Sequence, residues 1–453
     1  MSNTDHHQQQ GRVTMKTSKH IKTLLLSACS ISGLVLANPA AAEVVVADPD
    51  AQVDHSGTLS ILTKFGSQQL SPYFVDIAEK YQELHPDVSI ELIQETDDSV
   101  KDKTKTLVAT NSLPDIFFTW TGTWGGNFIR GDRAVDLTPV VGPDSEWGKT
   151  LTPAALDAFV YNDRNFGVPL YLDAKFMGYN KKIFADVGVE VPESFEELLV
   201  ACDSIHEAGI TPVSLGNKES WPVVHYLGQL LVYNVPVATL EKDFDPSTAE
   251  YSDPGYVASL QQFDEFRQRC TDGAPNGTSY ETAVQAFSDE RSAMYYQEIL
   301  EFDESATEET TMKPEDFGFF KLPVPEGAKG DPDAIEGAPE GYMVSAASDN
   351  IPLAIDFLKF VTSQENGKIL SASPYGQPSA VIGGSDETTM NPNVVAGMAD
   401  IDKASYLMPW LDTVNHPRVA AAWLSGLQSL TGGSMAPEEV MSAVRDAASA
   451  ARQ

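Results

Sequence analysis

The spacing of apolar residues changes along this chain in a regular order. Thr58 to Leu62 reads as a strand, and Gly66-Ser67-Gln68-Gln69 as a turn after it. From Tyr73 to His85 the apolar positions Phe74, Ile77, Ala78, Tyr81 and Leu84 fall at helical spacing. Pro86-Asp87 stops that helix, and Val88 to Ile93 alternates as a second strand. A helix through Val100 to Ala109 comes next, and Pro114-Asp115 leads into the buried strand Ile116-Phe117-Phe118. This order predicts a parallel sheet with crossover helices. A new unit opens at Phe166-Gly167-Val168-Pro169. It contains a helix from Ser194 to Ala208, with Ser194 as N-cap, Glu197 three residues on, and Gly209 as its stop. Further helices are expected over Ala354 to Thr362, Val419 to Leu430 and Pro437 to Ala451, with a break from Pro374 to Pro378. No repeat of solenoid period is present.

The N-terminal segment has a different pattern. Met15 opens a basic stretch (Lys16, Lys19, Lys22), an apolar run extends from Leu24 to Ala37, and Asn38-Pro39-Ala40-Ala41-Ala42 precedes Glu43. This is a secretory signal whose apolar core is too short for a permanent membrane anchor. Cleavage near Ala42 and a periplasmic location are expected. Leu26-Ser27-Ala28-Cys29 offers the alternative of a lipid anchor at Cys29, although the apolar run continues past it. Residues 43–56 read as a polar, flexible leader.

The full chain has 30 basic and 65 acidic side chains. Residues 1–42 hold four of the basic and one of the acidic ones, so 26 basic against 64 acidic remain beyond Ala42, a formal −38. Such a surface argues against nucleic acid and anionic lipid as partners. The denser acidic patch from Glu298 to Glu309 reads as a solvated loop. The chain beyond Ala42 is longer than a single growing core supports, so two lobes are expected. Cys202 and Cys270 fall on two expected helices and either pair as a disulfide or stay as buried thiols. No G-x-S-x-G, H-E-x-x-H, P-loop or C-x-x-C motif is present, and paired carboxylates carry no signal in so acidic a chain. A non-catalytic protein without cofactor or bound metal is expected; a secreted glycosidase is the disfavoured enzyme reading.

Several fragments in fixed order carry a resemblance. They are Phe74 to Val88 with His85-Pro86-Asp87-Val88; Leu113-Pro114-Asp115-Ile116-Phe117-Phe118-Thr119-Trp120; Gly167-Val168-Pro169; Gly178-Tyr179-Asn180-Lys181-Lys182-Ile183-Phe184; Ala208-Gly209-Ile210-Thr211-Pro212; Ala293-Met294-Tyr295; Glu340-Gly341-Tyr342; and Ala354 to Ser363. Together they resemble the extracellular solute-binding proteins of ABC importers, specifically the carbohydrate-binding group that includes maltose-binding proteins. The resemblance implies an α/β fold of two lobes, each a mostly parallel sheet flanked by helices, joined by a hinge. The first lobe would span 57–167 with 343–380, and the second 168–342 with 381–453. It further implies a monomer that takes a sugar in the interlobe cleft and delivers it to permease subunits driven by a cytoplasmic ATPase.

A sugar site needs fixed hydrogen-bond partners and flat aromatic faces. The candidates are Ser67 and Gln68 in the first turn and Glu95 after the second strand, where either Glu95 or Asp97 could accept from a sugar hydroxyl. The loop Trp120 to Trp124 adds Trp120, Thr121 and Trp124. Beyond the hinge-like Gly167 to Pro169 stand Tyr171 and Asp173, and then come Trp221, Tyr295, Gly341, Tyr342 and Trp410. The family's stacking Trp after Ala293-Met294 is absent, and Tyr295-Tyr296 stands there instead. That pair leaves ferric iron open as an alternative ligand, and the acidic composition leaves open a polyamine.

Overall fold

The computed structural model of the chain describes residues 44–452. The secretory segment, the Cys29 alternative and the junction at Glu43 lie outside the described residues.

The first lobe is built from β1 (Gly57–Thr63), α1 (Ser71–Leu84), β2 (Val88–Gln94), α2 (Asp97–Ala109), β3 (Ile116–Trp120) and α3 (Gly122–Arg130). β1 pairs in parallel with β2, from Gly57 opposite Val88 to Thr63 opposite Gln94, and with β3 at Ile61 and Leu62. The two crossovers are α1 and α2, as the apolar spacing requires. The loop expected from Trp120 to Trp124 is instead the first turn of α3. The second lobe is entered along β4 (Val168–Asn180) and contains α4 (Phe195–Glu207), β5 (Thr211–Val213), α5 (Pro222–Asn234), α6 (Pro254–Cys270), α7 (Tyr280–Ser288) and β6 (Ser292–Glu298). Then come β7 (Phe317–Phe320), β8 (Ile335–Val344), α8 (Ile351–Val361), β9 (Leu407–Met408), α9 (Pro417–Thr431) and α10 (Pro437–Ala451). Ser194 caps α4 by accepting from the Glu197 N–H at 3.2 Å, and Gly209 after it adopts φ +80°.

The strands join in the order β2-β1-β3-β8-β4-β6-β5, with β9 beside β8 and β7 beside β4. Its two flanks are parallel (β2-β1-β3 and β6-β5), but β8 runs antiparallel to both β3 and β4, and β4 antiparallel to β6. The reason lies in β4, which is thirteen residues long. Its first half, through Ala174, pairs with β8, and its second half, from Lys175, pairs with β6. One strand therefore carries the chain between lobes while β8 brings it back. At their contact Gly341 is obligatory, since a Cβ there would lie 2.1 Å from the Val168 carbonyl oxygen.

Buried apolar side chains fall on both sides of this crossing. Phe74, Phe117, Tyr342 and Phe357 belong to one cluster; Leu227, Phe263 and Trp423 to a second; Phe176, Phe302 and Phe317 to a third. Cys202 on α4 and Cys270 at the end of α6 are joined as a disulfide, with Cα atoms 5.0 Å apart. The segment read as a flexible leader is docked. Ala47 is buried and donates its N–H to the Asp136 carbonyl at 2.9 Å, because a small apolar residue there fits against the first core.

Candidate functional site

Strand ends and helix starts from both lobes converge where β4 changes partners. From the first lobe come Lys64 just after β1, Ser67 in the turn, Asp97 at the start of α2 and Trp120 at the end of β3. The second lobe contributes Trp221 and His225 at the start of α5, Tyr280 at the start of α7, and Glu298 at the end of β6 with Glu301 in the turn beyond. A cavity of about 380 Å³ lies between the two sets, lined by Lys64, Ser67, Asp97, Tyr280, Glu298, Glu301 and Glu304 among others. Beside it a space of about 20 Å³, room for about one water, is enclosed by Trp120, Trp221, His225 and Trp410. Asp97 and Glu298 border both.

Two knots of buried charge form the floor. In the first, the Lys64 ammonium lies 2.6 Å from Glu340 Oε2 and 3.3 Å from Asp97 Oδ1. Tyr171 donates its hydroxyl to Glu340 Oε2 at 2.7 Å, and the Trp410 indole N–H donates to Glu340 Oε1 at 3.2 Å. Burial opposes the charge on Lys64, but Asp97 and Glu340 outweigh it and raise its pKa well above the usual lysine value. Burial pushes Glu340 up, and Lys64 restrains that shift.

In the second knot Lys175 pairs with Glu298 at 3.0 Å. The two residues are also register partners across β4 and β6. Asp173, two residues along β4 on the same face, turns its carboxyl toward Glu298. Burial and then the Glu298 charge push the Asp173 carboxyl well up, toward its protonated form. Glu298 is held below the ordinary carboxylate range: burial works against it, but Lys175 and Lys64 prevail. Glu301 accepts a hydrogen bond from the Tyr280 hydroxyl, and burial pushes its carboxyl up to about 8, with Lys175 opposing and Glu298 adding. Behind the aromatic wall, His225 Nδ1 lies 3.2 Å from Glu336 Oε1. Burial drives His225 down and Glu336 up, which makes this a neutral pair rather than an ion pair. Gly228 on α5 makes room for it, since a Cβ would sit 2.2 Å from Glu336 Oε1.

The aromatic faces carry cations. Lys101, paired with Asp412, sits 4.8 Å above the Trp120 ring. Lys175 lies 5.5 Å from the Trp221 centroid and 5.7 Å from that of Tyr280. The Trp410 ring meets His225 edge-on at 4.9 Å.

Of the residues expected from sequence, Ser67, Trp120, Trp221 and Trp410 line these spaces, and Tyr171 and Asp173 lie directly beneath in the charge knots. Others lie elsewhere. Gln68 is exposed, because the turn points its side chain outward. Glu95 sits beside Lys103 at 3.5 Å, away from the cavity lining. Thr121 is buried at the entry to α3, and Trp124 packs edge-on against Trp120 at 5.5 Å, since the segment is helical. Gly341 serves strand packing. Tyr342 is a core residue whose hydroxyl lies 2.8 Å from Thr63 Oγ1. Tyr295 and Tyr296 point to opposite faces of β6, as neighbours in a strand must. Tyr295 packs in the third cluster and Tyr296 in the second, so the two phenols do not converge on one ion.

Asp97, read beside Glu95 as an acceptor after the second strand, lines the cavity, whereas sequence reasoning missed Lys64, Lys175, Tyr280, Glu298, Glu301 and Glu340. The patch read as a solvated loop is the clearest correction: Glu298, Glu301 and Asp303 are buried. The signal available was the unbroken run Ala293 to Glu298, which continues a strand into the acids.

The chain matches the family model of bacterial extracellular solute-binding proteins over residues 67–368, and it belongs to that family. It is 23% identical to the diacetylchitobiose binding protein DasA of Streptomyces coelicolor over 59% of this chain and 60% of that protein. It is 25% identical to the alpha-glucosides-binding periplasmic protein AglE of Rhizobium meliloti over 53% and 51%. The chain spans between about a third and three fifths of the length of the curated relatives it matches. Among solved structures, a chitin oligosaccharide binding protein superposes with a TM-score of 0.80 at 20% identity, covering 88% of this chain and all of the other. Maltose-bound T. maritima MalE3 superposes at 0.73 with 18% identity, covering 86% and 99%. These likenesses show the two-lobe fold.

Proposed function

We propose that the chain is the extracytoplasmic receptor of an ABC importer and that it captures a small sugar between its lobes. The observation that carries this reading is the cavity of about 380 Å³, whose walls come from both lobes and combine an aromatic face at Tyr280 with fixed acceptors at Asp97, Glu298 and Glu301. Carboxylates accept from sugar hydroxyls, Lys64 donates, and ring faces take the C–H surface. Lobe closure removes water from those hydrogen bonds, and ligand contacts to both lobes favour the closed state. The sugar-binding relatives support the ligand class. The cavity size fits a mono- or disaccharide better than a long chain. The small space among Trp120, Trp221 and Trp410 admits no ring as it stands, so a longer sugar requires Trp410 to move. In this reading the receptor works as a monomer, is exported by the signal ending near Ala42, and hands its cargo to a membrane permease with its ATPase. It performs no chemistry on the ligand.

A second reading takes a cationic ligand, a polyamine or an amino sugar. It is favoured by five carboxyls (Asp97, Glu281, Glu298, Glu301, Glu304) against one lysine in the cavity lining. Calorimetric titration of the protein against neutral mono- and disaccharides, glucosamine-type sugars and spermidine separates the two. Saturable binding of a neutral sugar, lost in Tyr280→Ala, is expected. Binding of spermidine alone would transfer the site to the second reading, and binding of none would sink both.

A further inference from the structure

We propose that His55, His85 and Asp356 form a binding site for a divalent transition metal, which ties the N-terminal segment to the first lobe. One potential ligand atom from each residue lies within 4.8 Å of the others. Among the described residues this is the only trio of histidine, cysteine or carboxylate groups gathered so closely. The three come from separate parts of the chain. His55 belongs to the segment before β1, His85 ends α1, and Asp356 projects from α8.

The donor set is specific. Two imidazoles with one carboxylate suit zinc and its late first-row neighbours rather than calcium or magnesium, which take oxygen ligands. His55 Nε2 already lies 3.1 Å from Asp356 Oδ2. The two imidazole rings stack at 3.8 Å with their planes 6° apart. Tyr81 donates its hydroxyl to Asp356 Oδ2 at 2.7 Å and holds the carboxylate in place, as the outer partner of a metal ligand does. All three residues are part-exposed, which leaves an entry path and a position for water. Metal–ligand distances of about 2.0–2.2 Å require the three atoms to close on a common centre. A ring nitrogen coordinates in its own plane, so the stacked rings must fan apart. Half-exposed side chains on a segment end and a helix end can make that rotation.

The consequence reaches beyond the site. His55 stands two residues before β1, and an ion held there would fasten the docked segment 44–56 independently of the cleft. The inference does not rest on the ligand proposed above.

The test is titration of the full chain with zinc chloride alone at near-neutral pH. Equilibrium dialysis reads the stoichiometry, and cobalt substitution reads the coordination by its visible absorption. One zinc per chain is expected, with affinity lowered about tenfold or more in His55→Ala and in Asp356→Asn, and a smaller loss in Tyr81→Phe. His55→Ala removes only the part-exposed contact to Asp356 and the stack on His85, so its unfolding midpoint without zinc should fall only slightly below that of the wild type, and this measurement guards against a folding artefact. Zinc should also protect segment 44–56 from proteolysis in the wild type but not in His55→Ala. A wild type that binds no zinc, or a His55→Ala/His85→Ala chain that binds it equally well through surface carboxylates, overturns the proposal.

Discussion

The two charge knots beneath the cleft are built from the same residue types and reach opposite balances. Around Lys64, a single carboxylate, Glu340, is contacted by the ammonium, a phenol and an indole, with Asp97 at the side. There one ammonium lies between two carboxylates, and the phenol and the indole both donate to Glu340. Around Lys175, three carboxyls crowd one cation, and the surplus is resolved by protons on Asp173 and Glu301. The first knot locks β8 to β4 and to the segment carrying Trp410, and it resembles a fixed part of the hinge. The second is short of positive charge and of hydrogen-bond donors, and two of its acids, Glu298 and Glu301, line the cavity. Buried polar networks specify structure when complete and attract partners when not. The difference therefore separates a knot that holds the fold while offering Lys64 and Asp97 to the cavity from one whose surplus acids are left to meet the ligand.

The sharpest way to break this comparison is to remove each cation. Lys175→Met leaves Glu298 buried without its partner and should cost about 3–5 kcal/mol of unfolding free energy. Lys64→Met should cost less, because Glu340 keeps its bonds from Tyr171 and Trp410. Denaturant titration of both variants decides it, and equal losses would mean that the knots are equivalent.

Next in size is the response to pH. Glu301 takes up its proton at about 8 in the fold, against about 4.5 unfolded. Between those values the folded protein binds a proton that the unfolded chain releases, so Glu301 makes stability fall as pH rises from about 4.5 to about 8. Glu301→Gln keeps a polar partner for Tyr280 and should flatten that slope. Thermal unfolding at a series of pH values reads it, and a slope unchanged in the variant would remove Glu301 from the account.

The smallest expected effect is in the complete knot. Trp410→Phe deletes one N–H donor to Glu340 while keeping an aromatic ring, and about 1–2 kcal/mol should be lost. A loss as large as that of Lys64→Met would show that the indole, not the ammonium, satisfies Glu340.

Local signals were strong where one periodicity ruled a segment. The residues from Tyr73 to Leu84 make a helix because their apolar side chains meet one core, and Ser194 with Gly209 frames α4 by capping chemistry. Aromatic candidates for the cleft were legible only in part. Trp120 and Trp410 look no different in sequence from Trp124, which packs behind Trp120. The charged candidates were least legible. A lysine such as Lys64 or Lys175 reads as surface until the strands that bury it are known, and Glu298 to Glu304 read as solvent-facing for the same reason.

By itself the sequence determined the alternation of strands and helices, the order of segments that marks the family, and the acidic surface charge. Each of these depends on neighbours along the chain or on composition. Only the tertiary structure decided that β4 would serve both lobes, that Lys175 would face Glu298 across more than a hundred residues, and that three acids would share too few counter-charges. Those outcomes depend on burial and on contact between distant segments, which set the electrostatic cost of a charge and leave no local trace in the residues that bear it.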